Sequence, residues 1–142
     1  MLYVALVLIA GALIAMQSPI NAALSRTIGV LESSLFNFIV GTAFLSLVVI
    51  LFGRGQLTRF AEAPPWQWIG GFLGAFMVLN TIIAVPRLGV LTTLLTMILG
   101  NLIMAAIIDH FGWFGLPVTP FDWRRLAGFT LVLAGLMLVF RR

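Results

Sequence analysis

The stretch AMQSPINAAL, residues 15–24, closes an apolar opening run, MLYVALVLIAGALIA, that carries no charge. Within it Gln17 and Asn21 lie four residues apart, so on a helix they share one face, which Ile14 and Ala10 continue. Pro19 has no N–H to donate, which frees the carbonyl of Ala15 and kinks a helix. An amide ladder beside a loosened carbonyl is chemistry that can bind a polar solute at membrane depth. Polar side chains inside a span are costly and tend to mark function. Two plainer readings stand beside it. Buried amides also bridge neighbouring helices, typically for about 1 kcal/mol or less, and a span that stopped near Met16 would leave these residues among headgroups.

The other polar residues set within apolar runs are again amides and hydroxyls: Asn37, Asn80, Thr81, Thr92, Thr93, Thr96 and Asn101. Gln17, Asn21, Asn80 and Asn101 are the candidate substrate-binding residues. Asp109, His110, Arg87 and Glu32 all fall at the ends of apolar runs, so the carboxylates that mark proton or cation relays are missing from the span interiors. A single His without a partner set reads as a helix-end residue, and Asp109 can pair with Arg124 or Arg125. With no Ser-His-Asp set, phosphate loop or metal cluster, neither an enzyme nor a cofactor or metal is expected. Small residues recur at helical spacing: Thr92, Thr96 and Gly100, then Gly70 and Gly74, then Gly128 and Gly135. Such stripes let a second helix approach closely, and they read as packing and dimer contacts.

These residues need elements to position them, and composition says what those are. The chain is 62% hydrophobic and only 8% charged, with a mean hydropathy of +1.18. A soluble domain needs roughly a quarter of its residues charged to cover its surface. This chain is expected to use the bilayer as solvent, with membrane lipids around it. It has no cysteine, so there is no disulfide framework. All eight basic residues are arginines, scattered singly or in pairs. They read as anchors beside lipid phosphates, and no nucleic-acid partner is expected. No basic residue precedes the first apolar run and more runs follow, so that run reads as a retained span and not a signal peptide.

A hydrocarbon core of about 30 Å needs about 20 apolar residues per helix. The expected architecture is an all-α integral membrane protein, one domain over residues 1–142, with spans at about 2–23, 34–52, 66–85, 88–108 and 123–140. Pro86 is expected to stop the third span, leaving PRLG as a tight connection to the fourth. The loops at 53–65 and 109–122 are rich in Gly and Pro, which break helices.

Five spans put the termini on opposite sides. One side carries Arg54, Arg59, Arg124 and Arg125, and the other Arg26, Arg87, Arg141 and Arg142. Orientation follows an excess of Lys and Arg on the cytoplasmic side, and four against four is no excess. The count suggests insertion in both orientations and an antiparallel homodimer, which makes an inverted repeat of ten helices. The rule has exceptions, so a single orientation decided by other features stands as the alternative. Trp66, Trp68, Trp113 and Trp123 all fall on the long-loop side and read as interfacial anchors.

The segments GALIAMQSPINAAL (11–24), Gly70-Gly71 with Gly74-Ala75, Leu88-Gly89, Gly100-Asn101 and DHFGWFGLPVTP (109–120) resemble the five-span YdcZ-type family. That family is a branch of the drug/metabolite transporter superfamily, and the resemblance covers nearly the whole chain. It implies a bacterial inner-membrane transporter and is compatible with paired copies, either two of this chain or this chain with a homologous one. The family pattern has Gln after the glycine of the fourth span, where Asn101 keeps the amide with a shorter reach. The related small multidrug resistance proteins carry an acidic residue in their first span. This chain has none there, so proton-coupled export of cationic drugs does not carry over.

The function expected is a secondary transporter of a small metabolite or amphiphile, working as an antiparallel dimer. A passive dual-topology ion channel is an alternative, although no concentrated filter motif is evident. A membrane subunit that packs against a partner without transporting is another.

Overall fold

The computed structural model describes residues 1–119 and 122–140, the last by its backbone alone. Five α-helices follow one another: α1 (Leu2–Ile28), α2 (Val30–Phe52), α3 (Ile69–Leu88), α4 (Val90–Phe111) and α5 (Trp123–Phe140). Short 3-10 turns fill Leu57–Glu62, Pro65–Trp68 and Trp113–Gly115. The segments Leu2–Ile28, Val30–Phe52, Pro65–Leu88 and Val90–Phe111 are long and apolar enough to cross a membrane. The expected arginine pair at 141–142 lies outside the described residues.

The helix ends differ from the expected spans, and at most of them the chain keeps its backbone N–H and C=O groups paired within a helix where a longer loop was expected. Hence α1 does not stop at residue 23 but runs on through LSRTI to Ile28, and α2 starts at Val30 instead of 34. The single residue between them is Gly29, at φ 99° and ψ 160°. That region of backbone space is essentially reserved for glycine. Gly29 donates to the Ser25 carbonyl at 3.0 Å and accepts from Ser33 N–H at 3.0 Å, so little of the backbone bonding is lost at the break. Gly89, at φ 81° and ψ 161°, separates α3 from α4 in the same way, accepting from Thr93 N–H at 3.1 Å.

Pro86 does not stop the third span. It sits inside α3, which ends two residues later at Leu88. Its missing N–H removes one helical bond, whereas a full exit from the helix there would free several. At the other end, Pro64 and Pro65 hold the chain in a 3-10 turn, and α3 proper begins at Ile69 instead of 66. The helix α4 runs past residue 108 to Phe111, where Gly112 adopts the left-handed conformation and donates to the Ile108 carbonyl. The helix α1 passes unbroken through Pro19.

The chain divides into two compact units, Met1–Arg87 and Leu88–Arg142. In the first, α1 packs against α2 along small and polar residues. Ser18, Asn21 and Ala22 are buried on α1, and Ser33 is completely buried on α2. On α3 Thr81, Ile82 and Val85 are buried, and a Cβ built on Gly74 would lie 4.0 Å from the ring of Phe38. In the second unit α4 packs against α5, and Leu136 is buried. Most other large apolar side chains face outward, among them Leu6, Phe44, Ile50, Phe72 and Leu131. A helix surface of that kind is stable only against lipid or further helices.

The glycine breaks generate a prediction. A side chain at Gly29 must adopt a disfavoured backbone and also meets the Glu32 carboxylate. Gly29→Ala and Gly89→Ala should each destabilise the protein by on the order of 1–3 kcal/mol. Gly11→Ala, in open space inside α1, should be neutral or slightly stabilising. Unfolding midpoints in mild detergent report all three, and equal midpoints for Gly11→Ala and Gly29→Ala would refute the glycine requirement.

Candidate functional site

Hydroxyls and amides behave differently on these helices, and the reason is their bonding capacity. A Ser or Thr hydroxyl can turn back onto a carbonyl three or four residues earlier. Ser18 donates to Ile14, Ser34 to Val30, Thr93 to Gly89 and Thr96 to Thr92, all at 2.8–3.0 Å. Thr81 shares its hydrogen between the carbonyls of Met77 and Val78. An amide has two N–H donors and an acceptor, which its own helix cannot satisfy together. Asn80 spends one N–H on the Phe76 carbonyl at 2.7 Å and is otherwise exposed.

The candidate substrate residues differ in their exposure. Asn21 is 5% exposed, turned into the α1–α2 seam. Gln17, one turn earlier on the same helix, is exposed. The shared face expected for the pair is therefore split between the seam and the outer surface of this chain. Asn80 on α3 is exposed in the first unit, and Asn101 on α4 is exposed in the second. Pro19 between Gln17 and Asn21 is exposed too, and its lack of an N–H leaves the Ala15 carbonyl without its helical donor.

The α1–α2 seam holds the polar residues that the sequence reading passed over as a site. Ser33 donates through Oγ to the carbonyl of Asn21 at 3.1 Å, a buried bond between the two helices. One turn further along α2 is Asn37, whose Nδ2 is buried with no hydrogen-bond partner among the described residues. Ser33, Asn37 and Gly41 follow one another on α2 at four-residue spacing, and a Cβ on Gly41 would meet nothing within 4 Å. That spacing is visible in the sequence once α2 is known to begin at Val30. A span starting at 34 leaves Ser33 in a loop and hides the series.

In the second unit Asp109 meets Arg125, with Arg125 Nη1 2.9 Å from Asp109 Oδ2. Both side chains are about two-fifths exposed, 40% and 39%. The backbone carbonyl of Asp109 also accepts from Thr119 N–H at 2.8 Å. His110 is exposed, its ring edge-on to Phe111 at 5.0 Å between centroids. The stripe residues are open: a Cβ on Gly70, Gly100, Gly128 or Gly135 would meet nothing within 4 Å. Trp66, Trp68, Trp113 and Trp123 are all exposed.

A family model described as "Putative inner membrane exporter, YdcZ" matches residues 2–138, nearly the whole chain. No curated protein and no solved structure matches it.

Asn37 and Ser33 give opposite expectations. A buried donor left unmade costs about 1–3 kcal/mol, so Asn37→Leu should raise the unfolding midpoint of detergent-purified protein. Ser33→Ala removes the bond to Asn21 and should lower it. A drop in midpoint for Asn37→Leu would show that the amide is partnered in the assembled protein.

Proposed function

The chain belongs to the YdcZ family, and from that premise we propose that it is a secondary transporter that moves a small metabolite or amphiphile as a dual-topology antiparallel homodimer. It is a multi-pass protein of the inner membrane, and its family is one of exporters and not of enzymes. The observation that carries the reading is the exposure of three amides, Gln17, Asn80 and Asn101, on helices whose other outward residues are overwhelmingly apolar. An amide left facing acyl chains is costly. A second chain that covers these faces, and a polar path between the two, remove that cost. In this reading Gln17, Asn21, Asn80 and Asn101 bind substrate.

The helix α5 supplies the fifth span. Its 18 residues measure about 27 Å, close to the hydrocarbon thickness of about 30 Å. An odd number of spans lets two copies in opposite orientations build an inverted repeat, an arrangement that recurs in transporters. The glycines of the stripes, Gly70, Gly74 and Gly100 with Thr92 and Thr96, then take the close helix contacts of the dimer. Gly70 and Gly100 have the free space on one chain that such contacts require.

Orientation is the property to test, because a balance of four arginines against four is easily tipped. Single cysteines at Thr58 and after Arg142 are labelled from outside in intact cells. Each site should label in part. Two lysines added to loop 53–65 should hold that loop in the cytoplasm, and two added after Arg142 should hold the opposite orientation. Each variant alone loses transport for want of its antiparallel partner, and co-expression restores it. Labelling of the unmodified chain wholly from one side would end the dual-topology reading.

A further inference from the structure

We propose that the groove between α4 and α5 on the His110 side seats one acyl chain of a membrane phospholipid, whose phosphate accepts a hydrogen bond from the imidazole. Two grooves flank the line where α4 and α5 touch. The first has a volume of about 560 Å³, with Leu99, Ile103 and Ile107 of α4 facing Phe129 and Leu133 of α5, and His110 at its end. The second, about 370 Å³, passes Ala105 and Gly128 and ends at the Asp109–Arg125 pair.

Their chemistry separates their occupants. A transmembrane helix is about 10 Å across and approaches closely only where residues are small. The two grooves share Ala106 and Phe129, and the second adds Ala105 and Gly128 for that purpose beside Leu102 and Val132. Apart from Ala106 and Thr130 the first is walled by branched and aromatic side chains, which leave a slot suited to a flexible hydrocarbon chain and not to a helix. Its length points the same way. From Leu99 to His110 is eleven residues of helix, or about 16 Å, and one leaflet is half of about 30 Å.

The polar end is equally selective. His110 always offers at least one imidazole N–H, and Phe111 packs against its ring while itself stacking on Trp113 at 5.9 Å. Trp113 is the kind of residue that sits at headgroup level. The nearby carboxylate of Asp109 lines the other groove, where it is held by Arg125. No acidic side chain lines the His110 groove to repel a phosphate. Thr130, on the groove wall, already donates its hydroxyl hydrogen to the Ala127 carbonyl at 2.8 Å.

The test reconstitutes the full chain into vesicles of phosphatidylethanolamine and phosphatidylglycerol. A trace of phosphatidylglycerol carries a photoreactive diazirine in one acyl chain, and labelled residues are mapped by peptide mass spectrometry. Labels should concentrate on Leu99, Ile103, Ile107 and Leu133. Thr130→Phe, which fills the slot from a side chain already on its wall, should lower them at least five-fold and leave labels on α2 unchanged. Ile103→Trp is the second filling variant should Thr130→Phe alter the melting temperature. His110→Leu should reduce the phospholipid that stays bound in native mass spectrometry. Labels spread evenly over all the helices, or unchanged on filling, mean bulk lipid only and overturn the site. A groove without label in a dimeric sample means that a second copy covers it, which overturns it as well.

Discussion

The absence of water in hydrocarbon governs this chain more than any packing contact does. Each backbone N–H and C=O must find its partner inside the same helix or across the shortest possible break. That is why α1 and α2 are separated by one residue and why that residue is Gly29. A loop of ordinary length at residues 24–33 would exchange several helical hydrogen bonds for water. A glycine in a backbone region closed to other residues exchanges almost none, because its own N–H and C=O still bond to Ser25 and Ser33. The same solution returns at Gly89. Where the chain has irregular backbone, at residues 53–68 and 112–119, it carries Gly, Pro and three of the four tryptophans, the composition of a wet interface.

The same constraint sorts the polar side chains. Hydroxyls other than that of Ser33 turn back onto their own helix, so Ser18, Thr93 and Thr96 say little about solutes or partners. Amides do not. Asn21 is absorbed in the α1–α2 seam, and Asn37 holds a buried donor that nothing described satisfies. Gln17, Asn80 and Asn101 face outward. The amides therefore divide into those that build the chain and those that need something outside it, a division the hydroxyls cannot reveal.

Much of this was legible in the sequence. Helix positions followed from apolar runs of about 20 residues, and the pairing of Asp109 with an arginine at the start of α5 followed from charge alone. What failed was punctuation. Pro86 reads as a stop, and the apolar runs leave residues 24–33 as a connection. In lipid a proline near a helix end loses one bond, and leaving the helix loses more, so the helix continues. That error carried into the site. With α2 taken to start at residue 34, Ser33 fell outside it, and the series Ser33, Asn37 and Gly41 could not be seen as one face. The pairing of Gln17 with Asn21 was sound as helical geometry, yet four residues at 100° each leave them 40° apart, enough for a seam edge to fall between them.

The second unit shows what holds two apolar helices together when lipid competes equally for both. Contact between α4 and α5 gains little from the hydrophobic effect, since acyl chains are as apolar as the residues they replace. The Asp109–Arg125 pair is about two-fifths exposed at the membrane edge, and such pairs contribute about 0–1 kcal/mol. Its role is therefore register and not strength. The carboxylate of Asp109 fixes the first turns of α5, while its carbonyl takes Thr119 N–H and draws in the preceding loop. One residue thus sets where α5 begins along α4. Once that end is pinned, the helices meet along a single line, with a bulky groove on one side and a small-residue groove on the other. An ion pair too weak to stabilise the unit is enough to decide which groove carries the carboxylate, and so which one can accept a phosphate.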